Sequence, residues 1–368
     1  MKYVFNRLDE GMREIELKRP QSESYENVQR ESGAAVTEDG MRAIRFEKAG
    51  NADVVKLVNE PFPRLRPHDL LVRVRAAGLN RADILQRQGF YGKQPDFGDS
   101  VIPGLEIAGE VVEVGTAATG FRNGDRVMAI VGGGAHAEYA RVDSRMAMAV
   151  PDRLSFAAAA AIPEVFVTAH EALIHLGKLT SSGWALVHAA AGGVGSAAVM
   201  LAHALGAKTV FTASGQKRME RVSELGGTVG VDYRKHDFLD AALDATDRRG
   251  VDAIVDFIGG PYLDRNLRAL APGGRLIQVG TLQGGEGHVS LDLLLHNYLR
   301  VIGTVMKSRS FHEKLAMTNR FRDRWLSAFA TGQLAPLVDR VFPLAQAADA
   351  HRYMEASGKL GKIVLTID

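Results

Sequence analysis

The chain has 368 residues, 46% of them hydrophobic and 24% charged, with a formal net charge of +2, 11 histidines and no cysteine. That size and balance suit an ordinary globular protein of two domains with a large core, and argue against nucleic-acid or membrane partners. Zero cysteine excludes disulfides, thiolate catalysis and Cys-ligated zinc; no uninterrupted apolar stretch reaches bilayer-spanning length, and a cytoplasmic location is expected.

Residues 1–40 are rich in charge, Ser, Gln and Asn, with few large apolar groups after Leu17. Such a segment buries little and reads as a mobile or loosely docked extension, either an upstream start or a regulatory tail. It lacks the apolar core of a secretory signal, and Asp9, Glu10, Glu14 and Glu16 spoil a mitochondrial presequence. From Met41 the pattern is β-rich, with strands at 43–46, 54–58, 70–76, 106–114 and 126–130. The third of these, LLVRVRA, alternates with period two as a half-buried strand should.

From about residue 156 helices and strands alternate. Helix 157–176 precedes strand 185–189, then come helix 196–206, strand 208–213, helix 217–225 and strand 228–231. Helix 238–246, strand 253–257, helix 262–270 and strand 275–279 complete the series. This rhythm means a parallel sheet with helices on both faces. A helix over 311–331 and a last strand over 362–367 form a piece too small to stand alone, which is expected to rejoin the N-terminal β domain. The chain thus divides into an extension (1–40), the first part of a β-rich domain (41–160), a dinucleotide domain (161–302) and a return segment (303–368).

The stretch 184–206, WALVHAAAGGVGSAAVMLAHALG, carries the most specific chemistry. It is a G-x-G-x-x-G dinucleotide turn with Ala190 in the first glycine slot, followed by Gly192, Gly193, Val194 and Gly195. A bare Gly192 lets a pyrophosphate approach, a bare Gly195 lets helix meet strand, and the helix N-terminus offers free N–H groups to the phosphates. An NAD site usually places an acid at the end of the next strand, about 20 residues on, for the ribose 2′-hydroxyl. Here the sequence is Thr212-Ala213-Ser214-Gly215-Gln216-Lys217-Arg218. Hydroxyls and cations suit a 2′-phosphate, with Ser214 donating a hydrogen bond and Lys217 or Arg218 supplying charge, so NADPH is the expected cofactor. Gly259 and Gly280 end two later strands, where backbone groups meet ribose and nicotinamide.

The order of a β domain, an inserted Rossmann domain and a return resembles the medium-chain dehydrogenase/reductase superfamily. Asn80-Arg81-Ala82-Asp83 with Gln86-Arg87-Gln88-Gly89, Pro103-Gly104-Leu105-Glu106-Ile107-Ala108-Gly109, Ala159-Ala160-Ala161-Ile162-Pro163 and the terminal GKLGKIVL resemble its zinc-free quinone oxidoreductase (zeta-crystallin-like) branch. The likeness runs from Met41 to Asp368. It implies an α/β fold: a GroES-like β-rich catalytic domain plus a Rossmann doubly wound parallel sheet. In the zinc alcohol dehydrogenases a Cys stands where this chain has Asn80 and a His where it has Leu105, so neither metal ligand exists here, and no zinc is expected.

The resemblance also implies site residues. Asn80 lines the pocket beside the nicotinamide and can hydrogen-bond a substrate carbonyl or the nicotinamide ribose. Tyr91 faces the substrate, to steer a quinone oxygen or stack on the ring. Asp83 holds the loop rather than taking protons. Thr168 lies against the nicotinamide, Tyr233 packs at the adenosine phosphate end, and Lys362 either reaches the cofactor or is a solvated lysine. The implied reaction is NADPH-dependent reduction of a quinone by hydride or one-electron transfer, with Asn80, Tyr91 or backbone N–H groups meeting oxyanion charge and water supplying protons. Its rivals are an NADPH-dependent alkene (enone) reductase and a non-catalytic NADPH-binding protein. A homodimer, paired edge to edge through strand 275–281, is expected.

Overall fold

The computed structural model describes residues 40–90, 100–356 and 358–368; the readings of residues 1–39 and of Tyr91 lie outside them. Alternating side chains build the first sheets. A hairpin joins β1 (Met41–Phe46) and β2 (Val55–Glu60). β3 (Asp69–Leu79) buries Leu70, Val72 and Val74 and turns Arg73 outward, the period-two pattern of a half-buried strand. Helix α1 (Arg81–Arg87) follows, then β4 (Glu106–Val114), β5 (Arg126–Ile130), β6 (Tyr139–Asp143) and β7 (Ala147–Ala149).

The apolar run expected as one helix at 157–176 breaks into α2 (Phe156–Ala159), α3 (Pro163–His170) and a π-helical turn, Glu171–Leu176. Pro163 sets the break: it has no N–H to give the preceding turn, but its fixed φ suits the first position of a new helix. By length and composition the run Phe156–Leu176 could also cross a membrane, which the sequence reading did not foresee; 78% of its most apolar window is buried inside the fold.

The βαβ series is β8 (Trp184–Val187), α4 (Gly193–Leu205), β9 (Lys208–Ala213), α5 (Gln216–Glu224), β10 (Val229–Asp232), α6 (Phe238–Ala245), β11 (Val251–Asp256), α7 (Leu263–Ala269) and β12 (Leu270–Gln278). α8 (Leu291–His296) and β13 (Arg300–Gly303) extend it. The six strands pair in parallel in the order β10-β9-β8-β11-β12-β13, so the strand order reverses between β8 and β11, where dinucleotides bind. Strand β13 corrects one expectation. β12 is interior, and the sheet edge is β13, with Val301 exposed there and Val305 just beyond it.

Helix α9 (Phe311–Thr331) opens on a capping box, with Ser310 N donating to Glu313 Oε2 at 2.9 Å. Its Phe321 and Phe329 pack on Phe166 of α3. Then β14 (Val338–Pro343), α10 (Ala347–Glu355) and β15 (Lys362–Thr366) return the chain to the first domain. β15 pairs antiparallel with β3, Ile363 opposite Leu79, inside a sheet ordered β14-β15-β3-β4-β5-β7. The end of β3, the start of β4 and the start of β15 therefore converge, and that corner faces the Rossmann turn.

Candidate active site

The glycine turn has the steric logic of a dinucleotide cradle. Ala189 holds φ +48°, a left-handed conformation that L-residues rarely adopt and that functional turns tolerate. Ala190 is fully buried and donates its N–H to Thr212 O at 2.9 Å, which locks the turn to β9. A Cβ on Gly195 would lie 2.5 Å from Ala189 O, so α4 packs on β8 only because that side chain is missing. A Cβ on Gly192 would meet nothing closer than Ala189 O at 3.3 Å. That single contact is tight but far looser than the one at Gly195, and the space over Gly192 suits a pyrophosphate. Val194 is half-buried beside it, and Gly193 has the Lys362 stem and Val165 at 3.0 Å from its would-be Cβ.

At the end of β9, Ser214 is buried and Arg218 folds back over it, donating from Nε to Ser214 O and from Nη2 to Ser214 Oγ, both at 2.6 Å. Lys217, its neighbour in the first turn of α5, is exposed, so the two cations are not equivalent. Tyr233 lies at the end of β10, 41% exposed, with its N–H on Ala213 O. An acid does stand nearby, Asp232, but its oxygens accept from Gly215 N and Arg234 N. Lys359, brought in by the return segment, joins this end: burial and the charges of Arg81 and Arg218 hold its ammonium below the usual lysine range, against the pull of Asp339.

The converging strand ends hold a buried polar network. Lys362 Nζ donates to Glu106 Oε1 at 2.5 Å, Asn80 Oδ1 at 2.7 Å and Leu79 O at 3.0 Å. Asn80 Nδ2 donates to Glu106 Oε1 at 2.9 Å, and the Glu164 N–H donates to Glu106 Oε2 at 2.8 Å. Asp83 Oδ2 accepts from Asn80 N at 2.7 Å, and burial pushes its carboxyl above the usual range. Burial equally holds His136 below the usual imidazole range. The network lies directly under the glycine turn, because Gly361 N donates to Ala191 O at 2.8 Å.

These contacts correct two sequence assignments. Lys362 is neither solvated nor free to reach a cofactor: all three of its protons are taken within the protein. The Asn80 amide is likewise occupied, accepting from Lys362 and donating to Glu106, so its place is to hold the corner rather than to face a substrate. Asp83 holds the turn after β3, as read. Thr168 is half-exposed on α3, one turn beyond Glu164. Gly259 adopts φ +99° against Gly284 O, while a Cβ on Gly280 would make ordinary van der Waals contact with Phe257. A cavity of about 530 Å³ opens beside Gly280, lined also by Thr281, Thr304, Arg309 and Glu313.

Sequence reasoning passed over Glu106, Glu164, Arg81 and Lys359. The first two had a legible signal, each a lone acid in an apolar run; Arg81 and Lys359 had none. Among the described residues no three His, Asp or Glu side chains gather as a metal site.

Residues 66–152 match the alcohol dehydrogenase GroES-like domain, and residues 193–320 match the family described as zinc-binding dehydrogenase. The chain is 30% identical over 333 residues to the quinone oxidoreductase of Homo sapiens, covering 89% of this chain and 98% of that one. It is 31% identical over 341 residues to the synaptic vesicle membrane protein VAT-1 homolog of Homo sapiens, covering 88% and 86%. A mycobacterial protein solved in complex with NADPH superimposes with a TM-score of 0.79 at 28% identity, covering 89% of this chain and 100% of that one. Likeness over nearly the whole length of this chain and of these relatives leaves one conclusion: the chain belongs to the quinone oxidoreductase (zeta-crystallin-like) branch of the medium-chain dehydrogenase/reductase superfamily.

Proposed function

We propose that this oxidoreductase is an NADPH-dependent, zinc-independent quinone reductase. The observation that carries the cofactor assignment is the crowd of cations at the end of β9. The charges of Arg81 and Arg218 add to burial in pressing on the Lys359 ammonium there, and Asp339 opposes them. A 2′-phosphate would relieve that repulsion and take hydrogen bonds from the Arg218 fork and the Ser214 hydroxyl. The quinone assignment rests on the quinone oxidoreductase relatives, and zinc independence on Asn80 and Leu105 at the ligand positions of the zinc enzymes.

When bound, the reduced nicotinamide supplies a hydride. The protein's share is placement. The turn from Ala190 to Gly195 holds the pyrophosphate at the N-terminus of α4. Thr168, Gly280 and Thr281 border the nicotinamide end, and the cavity beside Gly280 and Thr281 receives the acceptor. The Lys362–Glu106–Asn80 network, joined to the Rossmann domain through the Glu164 N–H on Glu106 and the Gly361 N–H on Ala191, lies under that end and keeps water out of the corner. A homodimer formed through β13 belongs to the same reading, because that edge strand carries an exposed Val301.

The test mixes purified protein with NADPH or NADH and a panel of quinones beside simple enones, followed at the nicotinamide absorbance band. Rapid oxidation of NADPH by quinones, with little from NADH or enones, is the expected result. Turnover of enones alone would make it an alkene reductase, and NADPH binding without turnover of either class would overturn the enzymatic reading. Arg218→Ala should raise the NADPH KM at least tenfold while leaving the NADH KM nearly unchanged, and Lys217→Ala should leave both nearly unchanged.

A further inference from the structure

On helix α3 six of eight residues are buried, and the two that are not, Glu164 and Thr168, stand four apart and so on one stripe. The start of that helix lies against the glycine turn, with Val165 at Gly193 and the Glu164 N–H on Glu106. Glu164 Oε2 is itself shielded from solvent and has no hydrogen-bond partner, unlike the oxygens of Glu106, which are all used. The corner thus contains two carboxyl groups with opposite lots. One is held by an ammonium, an amide and a backbone N–H. The other has a buried oxygen without a partner, one helical turn before Thr168, the residue that the proposed reading places at the nicotinamide.

We propose that Glu164 is the proton donor of this site, its carboxylic acid proton passing to the acceptor as the acceptor is reduced. This rests on the reductase reading above and replaces water as the proton source. The acceptor gains two electrons and one hydrogen as hydride from the bound nicotinamide, which is oxidised. The negative charge left on the acceptor, at the far oxygen of a quinone or the α-carbon of an enone, bonds to the Glu164 proton as the carboxyl O–H bond breaks. Water then reprotonates the carboxylate.

The electrostatics agree. Burial first, then the Glu106 charge, push the Glu164 carboxyl up to about 8, so it still carries its proton at neutral pH. Asp83 from α1 adds to the rise, while Lys362 from β15 and Lys314 from α9 oppose it.

Two measurements test the proposal. The infrared difference spectrum between unliganded wild type and Glu164→Gln should show a protonated carboxyl band that fades as pH rises through about 8. In turnover with NADPH, wild-type kcat should show a descending alkaline limb of about tenfold per pH unit. Glu164→Gln should lose roughly 10²–10⁴-fold in kcat at pH 7, lose the descending limb and keep its NADPH KM. Glu164→Asp, which keeps an acid, should retain the limb at a shifted pH, and it carries the test if the Gln variant does not fold. Absence of the band, or a Gln variant with wild-type kcat and an intact limb, refutes the proton-donor role alone. Wild type that reduces no acceptor at all refutes the reductase reading beneath it, whatever the infrared band shows.

Discussion

Replacing Lys362 by Met is the sharpest probe of the corner where the two domains meet. The Lys362 and Glu106 side chains are only 4% and 0% exposed, and their ion pair spans 2.5 Å. Removing the ammonium strands a buried carboxylate, a change that typically costs 3–5 kcal/mol. A stranded carboxylate can escape by taking a proton, and for an ordinary glutamate that escape costs about 4 kcal/mol at pH 7 and about 1 kcal/mol at pH 5. The loss should therefore be about 3–4 kcal/mol at pH 7 and about 1 kcal/mol at pH 5. For a chain of this size the larger figure corresponds to roughly 5 °C in Tm. Urea unfolding of wild type, Lys362→Met, Glu106→Gln and the double variant at both pH values reads this directly. The double variant should be less damaged than the sum of the singles by at least about 2 kcal/mol, since it leaves no unpaired charge. Additive losses, or a Lys362→Met cost below about 1 kcal/mol at pH 7, would refute the view that this pair is a buried, mutually dependent unit.

Within the glycine turn, Gly192→Ala should destabilise less than Gly195→Ala yet lose most NADPH affinity, whereas Gly195→Ala should cost about 1–3 kcal/mol through overpacking against Ala189 and Ala190. Melting curves and fluorescence titration separate the two, and a stable Gly195→Ala would show that helix and strand can part. His351 is buried without a hydrogen bond, and burial holds it down at about 3. Its unfolded form takes a proton near pH 6.5, so stability falls as pH drops below that value and keeps falling to about pH 3. Between pH 6.5 and 5 His351 should account for about 2 kcal/mol, and His351→Leu should flatten the acid limb of a urea-derived stability profile by that amount. At the sheet edge, Val301→Lys should shift sedimentation toward monomer; an unchanged species would remove β13 from the interface.

Local chemistry was legible in the sequence wherever a feature is complete within a few consecutive residues. The alternation of β3, the glycine turn before α4 and the missing acid after β9 each follow from short-range sterics or hydrogen bonding, so each could be read in place. Four-residue β13 could not, because so short a strand has no periodicity to detect and is defined only by its neighbour β12. Asn80 shows the limit most clearly. Its position just after strand β3 was readable, but its partners are Glu106, 26 residues on, and Lys362, 282 residues on. The sequence by itself determined the two-domain α/β plan and the dinucleotide turn, because backbone sterics and side-chain periodicity act over neighbouring residues. Tertiary structure alone decided that Lys362 serves Glu106, that Glu164 has a buried oxygen without a partner, and that Arg218 rather than Lys217 covers Ser214. Charge pairing and desolvation depend on which strand ends meet, and the return of β15 to β3 settles that.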